Sequence, residues 1–311
     1  MKRFLQTLAL FLLSLPLAWA LLYLMAGRSE RAFDQFIGDQ THWGAVHQRT
    51  SEWHDDPGLR DRCDVLFFGS STCYSGIDPR ALEAYGMQGF NFCSSSQALG
   101  NSAVLLPAAL AESRPEWVVL DVYPDLWGQP YNVESSRDWA LNARMHNVRW
   151  GWTGLRHAAA VRDPFNGVVT ALQWVNERLP AWLQHGHDAP QDAWGRYAGR
   201  GFVARTFPAL TAAPDCPEEA QAVFTPDLCA LLAQVQARCA AQGARLALVV
   251  PPELCPAAFT PPACWDGLTV IRGADWPGST DPSFYYDDHH LTEAGAAAYS
   301  AWLAGELVGG R

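Results

Sequence analysis

The sequence predicts an α/β protein in which a parallel sheet lies between two layers of helices, with a helical insertion in it and an apolar helix before it. Three observations predict this. Short apolar runs of strand length alternate with longer helical stretches. Those runs show no apolar/polar alternation, as expected of strands buried on both faces. Helix starts and stops also fall between them, in the rhythm of right-handed β-α-β crossovers.

The first segment is Lys2-Arg3 followed by "FLQTLALFLLSLPLAWALLYLMA", Phe4 to Ala26, whose only polar interruptions are Gln6, Thr7 and Ser14. A helix needs about 20 apolar residues to cross a bilayer, and Pro16 is tolerated in such spans. Ala18-Trp19-Ala20 has the small-x-small form of a signal-cleavage site. The apolar run continues past it to Met25, which favours a retained transmembrane anchor over residues 1–27 above a cleaved signal. Arg28 and Arg31, close behind the span, weaken the charge contrast that would orient it. Residues 28–62 are polar and aromatic without clear period and read as a stem.

The α/β domain is expected over 63–311. "DVLFFG" (64–69) is the first strand, and Asp78-Pro79 then gives a cap and first turn that Gly86 stops. "GFNF" (89–92) is the second strand, a helix runs from about Leu99 to Glu112, and "EWVVLDVY" (116–123) is the third strand. From about 126 to 215 the rhythm breaks into a Trp-, Arg- and His-rich insertion, with helical stretches such as "GVVTALQWVNERLPAWL". Leaving a strand tip, it is expected to roof the strand ends. Its apolar positions, Val168, Val169, Leu172, Val175, Leu179 and Trp182, suit ordinary packing or a lipid-facing side. The rhythm resumes with Thr225-Pro226 opening a helix to Gly243. "ARLALVVPP" (244–252) and "GLTVIR" (267–272) follow as strands, and Thr292 caps the last helix.

Composition excludes some classes of function. With 49% hydrophobic and 17% charged residues the chain is no disordered tail. A net charge of −10 leaves no basic surface for a nucleic-acid partner. Eight cysteines behind an export-like segment point to disulfides in an oxidising space. Cys255–Cys264, across a Pro-rich loop, is the first expected pair and Cys216–Cys229 the next. Cys73 and Cys93 read equally as a pair or as small buried apolar residues. His54-Asp55-Asp56 and His185-Gly-His187-Asp188 have metal-ligating types but no further ligand at a usual spacing, so they are expected as surface loops.

The chemistry lies at the two ends of the domain. "FFGSSTCYSG" (67–76) breaks an apolar strand into a glycine and two serines, and "FYYDDHHLTEAG" (284–295) precedes the last helix. Open α/β sheets hold their ligands at the carboxyl ends of strands, where Ser70 and Ser71 stand. A nucleophilic serine needs a histidine base, which a carboxylate in turn orients. The Asp287-x-x-His290 spacing lets a tight loop fold the carboxylate onto the imidazole. Taken alone, Ser71 is a strand terminator and His290 a loop histidine; Asp288 and His289 are alternatives that more readily shape the turn.

A Gly-x-Ser block after the first strand, joined to Asp-x-x-His-Leu before the last helix, resembles the SGNH, or GDSL-like, hydrolase superfamily over roughly 63–125 and 215–311. The resemblance implies a three-layer flavodoxin-like sheet and ester chemistry without a metal or organic cofactor. It maps the nucleophile onto Ser71 and the rest of the triad onto Asp287 and His290. It also implies oxyanion donors from Ser71 and from the second block, "FNFCSSSQALG", here the backbone of residues 93–96 and in particular Ser94 and Ser96. The family's third-block asparagine is missing from "LDVYPDLW" (120–127), where Pro124 has no N–H to give. Losing one such donor costs on the order of 10²–10³ in rate, and membrane-anchored acyl-transferring relatives lack this block too. The expected function is therefore a membrane-anchored, extracytoplasmic serine esterase or O-acyltransferase. It would act on an acylated envelope glycan or lipid, with a multi-span membrane protein as acyl donor. The alternative is a weakly active or inactive scaffold or glycan-binding protein with the same fold.

Overall fold

The structure, a computed structural model, describes residues 2–26, 45–178, 195–216 and 221–309. Helix α1 (Lys2–Ala26) leads the chain. Next come α2 (Val46–Asp55), α3 (Pro57–Arg62), β1 (Val65–Phe68), α4 (Ser71–Gly76), β2 (Gly89–Asn91), α5 (Leu99–Leu110) and β3 (Trp117–Asp121). The insertion supplies α6 (Val133–Asn142), α7 (Val148–Ala160), α8 (Pro164–Asn176) and a hairpin of β4 (Gly195–Gly199) and β5 (Phe202–Arg205). Helix α9 (Pro226–Ala241), β6 (Arg245–Val250), β7 (Thr269–Arg272) and α10 (Glu293–Gly309) complete the chain.

Five strands form one parallel sheet in the order β2-β1-β3-β6-β7. The chain first builds to one side of β1 and then crosses to the other, an order compatible with a flavodoxin-like fold. Its switch point lies where β1 and β3 end side by side. The period of two along each strand divides the core. Leu66, Phe68, Val118, Leu120, Leu246 and Leu248 face one way and pack with Leu105 and Leu106 of α5 and Leu228, Leu232 and Val235 of α9. Val65, Phe67, Trp117, Val119, Ala247 and Val249 face the other way and pack with Cys73 and Tyr74 of α4 and Tyr299, Leu303 and Leu307 of α10. Each such side chain contributes about 1.5–3 kcal/mol on full burial, which is why β1 and β3 tolerate no polar residue before their last positions.

The expected punctuation operates. The Asp78 side chain accepts the Arg80 N–H, and the segment tightens into a 3₁₀ turn, Pro79–Tyr85, that Gly86 ends at φ 73°. Thr225 accepts the Leu228 N–H at the start of α9, and Thr292 accepts the Gly295 N–H at the start of α10. Residues 45–62, expected as stem, instead form α2 and α3 and bury Trp53 and Leu59 in the core.

The insertion flanks the sheet as much as it covers its rim. Helices α6, α7 and α8 pack on one another and α7 lies on α5, while the hairpin lies on α4. The Arg200 carbonyl at the hairpin turn accepts the Asn91 N–H, closing the open edge of β2. On α8, Val169 is buried while Val168 and Val175 are exposed. The expected helix residues Leu179 and Trp182, the His185/His187/Asp188 motif, and residues 28–44 lie outside the described residues. Helix α1 runs for 25 residues. Among the described residues no helix is long and apolar enough to cross a membrane, and the α1 side chains at 16, 19, 20 and 22–26 lie outside that description.

Three disulfides form: Cys73–Cys93, Cys216–Cys255 and Cys229–Cys264. The expected pairs Cys255–Cys264 and Cys216–Cys229 do not. The segment before α9 runs beside the loop after β6, through a bridge between Gln221 and Ala258, and this sets Cys216 against Cys255. Cys229, one turn into α9, then meets Cys264 in the turn at Ala263–Trp265 that packs below that helix. Cys63 and Cys239 are buried free thiols. Three crosslinks fit an extracytoplasmic, oxidising location.

Candidate active site

The site begins where β1 ends. A Cβ on Gly69 would stand 2.4 Å from Cβ of Asp121, so only glycine lets the tips of β1 and β3 come together. Ser70 continues extended, and Ser71 is the first residue of α4. No side chain caps that helix start.

The last loop closes over this point. Tyr285 and Leu291 form an antiparallel bridge, and the Tyr286 N–H donates to the His290 carbonyl, so residues 286–290 make a tight return. Within it Asp287 Oδ1 accepts the N–H groups of His289 (3.0 Å) and His290 (2.6 Å). Its Oδ2 lies 2.8 Å from His290 Nδ1, and His290 Nε2 lies 2.7 Å from Ser71 Oγ. The structure thus brings the three sequence-predicted residues into one relay. The ring of Tyr286 stacks parallel to His290, 5.4 Å between centroids, and holds its plane. Asp288 and His289 form a second pair beside it, 2.5 Å between Oδ1 and Nδ1, with the His289 ring stacked on Tyr123 and 3.9 Å from that of His290.

Electrostatics suit proton transfer. Burial pushes the His290 imidazole below its ordinary value, against the opposing pull of Asp287, so it stays neutral and able to accept a proton. Burial raises the Asp287 carboxyl, but the hydrogen bond and charge of His290 outweigh it and hold the group at about 2. Asp287, His289 and His290 are also of metal-ligating types and lie close together. Both nitrogens of His290 are already engaged, by Asp287 and by Ser71.

Residues beyond the predicted triad brace the serine. The Thr72 hydroxyl donates to Asp121 Oδ2 at 2.7 Å, and Ser70 Oγ lies 2.7 Å from Thr72 Oγ1. Burial pushes the Asp121 carboxyl up to about 7, with the Thr72 hydroxyl and the Tyr123 N–H opposing the rise. Asn91 donates from Nδ2 to the carbonyl of Cys73 in α4 and accepts the Cys93 N–H, and the Cys73–Cys93 disulfide adds a covalent tie between the same two segments. The one signal in the sequence for this bracing was the acidic residue ending the apolar strand "WVVLD".

The second-block donors divide. Ser94 is unavailable: its N–H donates to the Gly69 carbonyl, and its buried hydroxyl bonds with Gln97, Ser135 and the Trp139 indole. The Cys93 amide is taken by Asn91 and the Ser95 amide by the Asp138 carboxylate. Ser96, at φ 50°, directs its hydroxyl to Glu134, and its amide has no hydrogen-bond partner among the described residues. No protein-family model and no curated protein matches the chain.

Proposed function

We propose that the protein is an SGNH-type serine esterase or O-acyltransferase. The observation that carries the reading is the continuous relay from Asp287 through His290 to the Ser71 hydroxyl, at 2.8 and 2.7 Å, at the switch point of a parallel sheet. In this reading His290 takes the Ser71 proton as Oγ attacks an ester carbonyl, and Asp287 stabilises the imidazolium. The Ser71 amide, with the Ser96 amide, receives the developing oxyanion charge. His290 then protonates the leaving alkoxide, and the acyl-Ser71 ester passes its acyl group to water or to a sugar hydroxyl.

The substrate class is an acylated glycan or lipid of the cell envelope, with a multi-span membrane protein as acyl donor. In this reading the apolar run Phe4–Ala26 is a membrane anchor, and α1, 25 residues at 1.5 Å each, would extend about 37 Å. The three disulfides fit an extracytoplasmic, oxidising location for the domain. A fluorophosphonate probe tests the assignment, with Ser71 of wild type labelled and Ser71→Ala unlabelled. Equal labelling of the variant would refute it.

A second reading, a scaffold or glycan-binding protein that has lost efficient turnover, is favoured by the third block. There Pro124 offers no N–H, and the Tyr123 amide is taken by Asp121. In a complementation assay a scaffold would tolerate Ser71→Ala and an enzyme would not.

A further inference from the structure

At the opposite end of the sheet, where strands begin, three side chains from separate elements converge: His54 near the end of α2, Glu112 just past α5, and His146 before α7. Each offers one ligand atom, and these atoms lie within 4.8 Å of one another. The two imidazole rings are immediate neighbours.

His54 is 92% buried and its tautomer is fixed by the fold. Its Nε2 lies 3.0 Å from the Arg144 carbonyl, an acceptor only, so Nε2 carries the proton and Nδ1 carries the lone pair. That Nδ1 is buried without a hydrogen-bond partner, which costs free energy unless something accepts the lone pair. A ring nitrogen anchored to a backbone carbonyl while the other is left open is how metal-bound histidines are oriented. Glu112 is oriented as firmly. The indoles of Trp53 and Trp150 donate to its Oε2, and Asn147 Nδ2 lies 2.8 Å from both Glu112 Oε1 and His146 Nε2. Of the cations nearby, Arg60 is engaged by the Trp53 and His54 carbonyls and Arg144 by Asp55, while Arg149 stands 3.9 Å from Glu112 Oε1 at the rim of the cluster.

We propose that His54, Glu112 and His146 form a site for one divalent transition-metal ion, best suited to Zn²⁺, that clips α2 and the start of α7 to the end of α5. Two imidazoles and a carboxylate are a zinc ligand set, and His146 is exposed enough to leave the fourth position to water. The site lies across the sheet from Ser71 and holds the insertion to the core independently of the ester chemistry.

The test uses the full, untagged chain in detergent, stripped with EDTA and titrated with Zn²⁺ by calorimetry. The expected result is one equivalent bound, with a rise in melting temperature of roughly 5 °C or more at a hundredfold excess over Kd. His146→Ala and Glu112→Gln should each weaken binding by about tenfold or more, and His289→Ala should not. His146→Gln, at an exposed position, serves where the alanine variant misfolds. Absence of saturable Zn²⁺ uptake by wild type at ~100 µM would overturn the proposal. So would unchanged binding in both ligand variants, or loss of binding in His289→Ala, which would move the ion to the catalytic loop.

Discussion

The two ends of the sheet each carry a histidine–carboxylate group, and they differ in how completely the imidazole is satisfied. At the strand tips His290 is bonded on both nitrogens, to Asp287 and to Ser71, and its ring lies flat against Tyr286. At the strand origins His54 is fixed on one nitrogen only and lies beside a second imidazole. A ring filled on both sides by an acceptor and a hydroxyl is arranged to pass a proton between them. A ring left with one buried lone pair is open to a Lewis acid, as proposed above. On the two proposals the same residue types would serve two chemistries because the backbone fixes which nitrogen remains open.

The largest effect that would separate the ends is His290→Ala, expected to lower the Ser71 labelling rate by roughly 10³-fold or more without moving the melting temperature. Retention of the rate would break the relay. Next comes the covalent brace. Replacing Cys73 and Cys93 together by serine removes a crosslink over 20 residues, worth about 3 kcal/mol, read as a fall in melting temperature of roughly 6–12 °C. Labelling should fall with it. An unchanged rate would show that α4 is placed by the sheet alone. Thr72→Val should follow, slowing labelling by roughly tenfold or more as Ser70 loses its link to Asp121 and α4 shifts; rates within twofold of wild type would remove Asp121 from the site. The smallest effect is in pH. His290 must be neutral to act as base, and its folded value lies below the ordinary ~6.5. Labelling should therefore hold its plateau as pH falls through 6.5 and decline only below it, whereas a midpoint at or above 6.5 would contradict the buried, neutral imidazole.

What the sequence made legible was local. The strands could be read because double-sided burial leaves unbroken apolar runs such as Val65–Phe68. Asp287 and His290 could be read because their partnership closes within one short loop. The caps at Asp78, Thr225 and Thr292 are equally local. What escaped depends on which segments lie side by side. The cysteine pairs follow from residues 214–216 and 221–222 lying beside 254–258, which no spacing encodes. Ser94 was expected as a donor from its place in the second block, but the register between that loop and Gly69 takes its amide. His54 lacked further ligands in the sequence because Glu112 and His146 reach it from other elements. Residues 45–62 read as stem because their few apolar residues are widely spaced, yet Trp53 and Leu59 suffice to dock them.

The crosslink between Cys73 and Cys93 joins the helix that begins with Ser71, the proposed nucleophile, to the segment expected to hold the oxyanion. In a thiol-reducing compartment only the hydrogen bonds of Asn91 would hold those two segments together, and oxidation adds the covalent lock. If the proposed ester chemistry holds, catalytic competence would then depend on reaching an oxidising space.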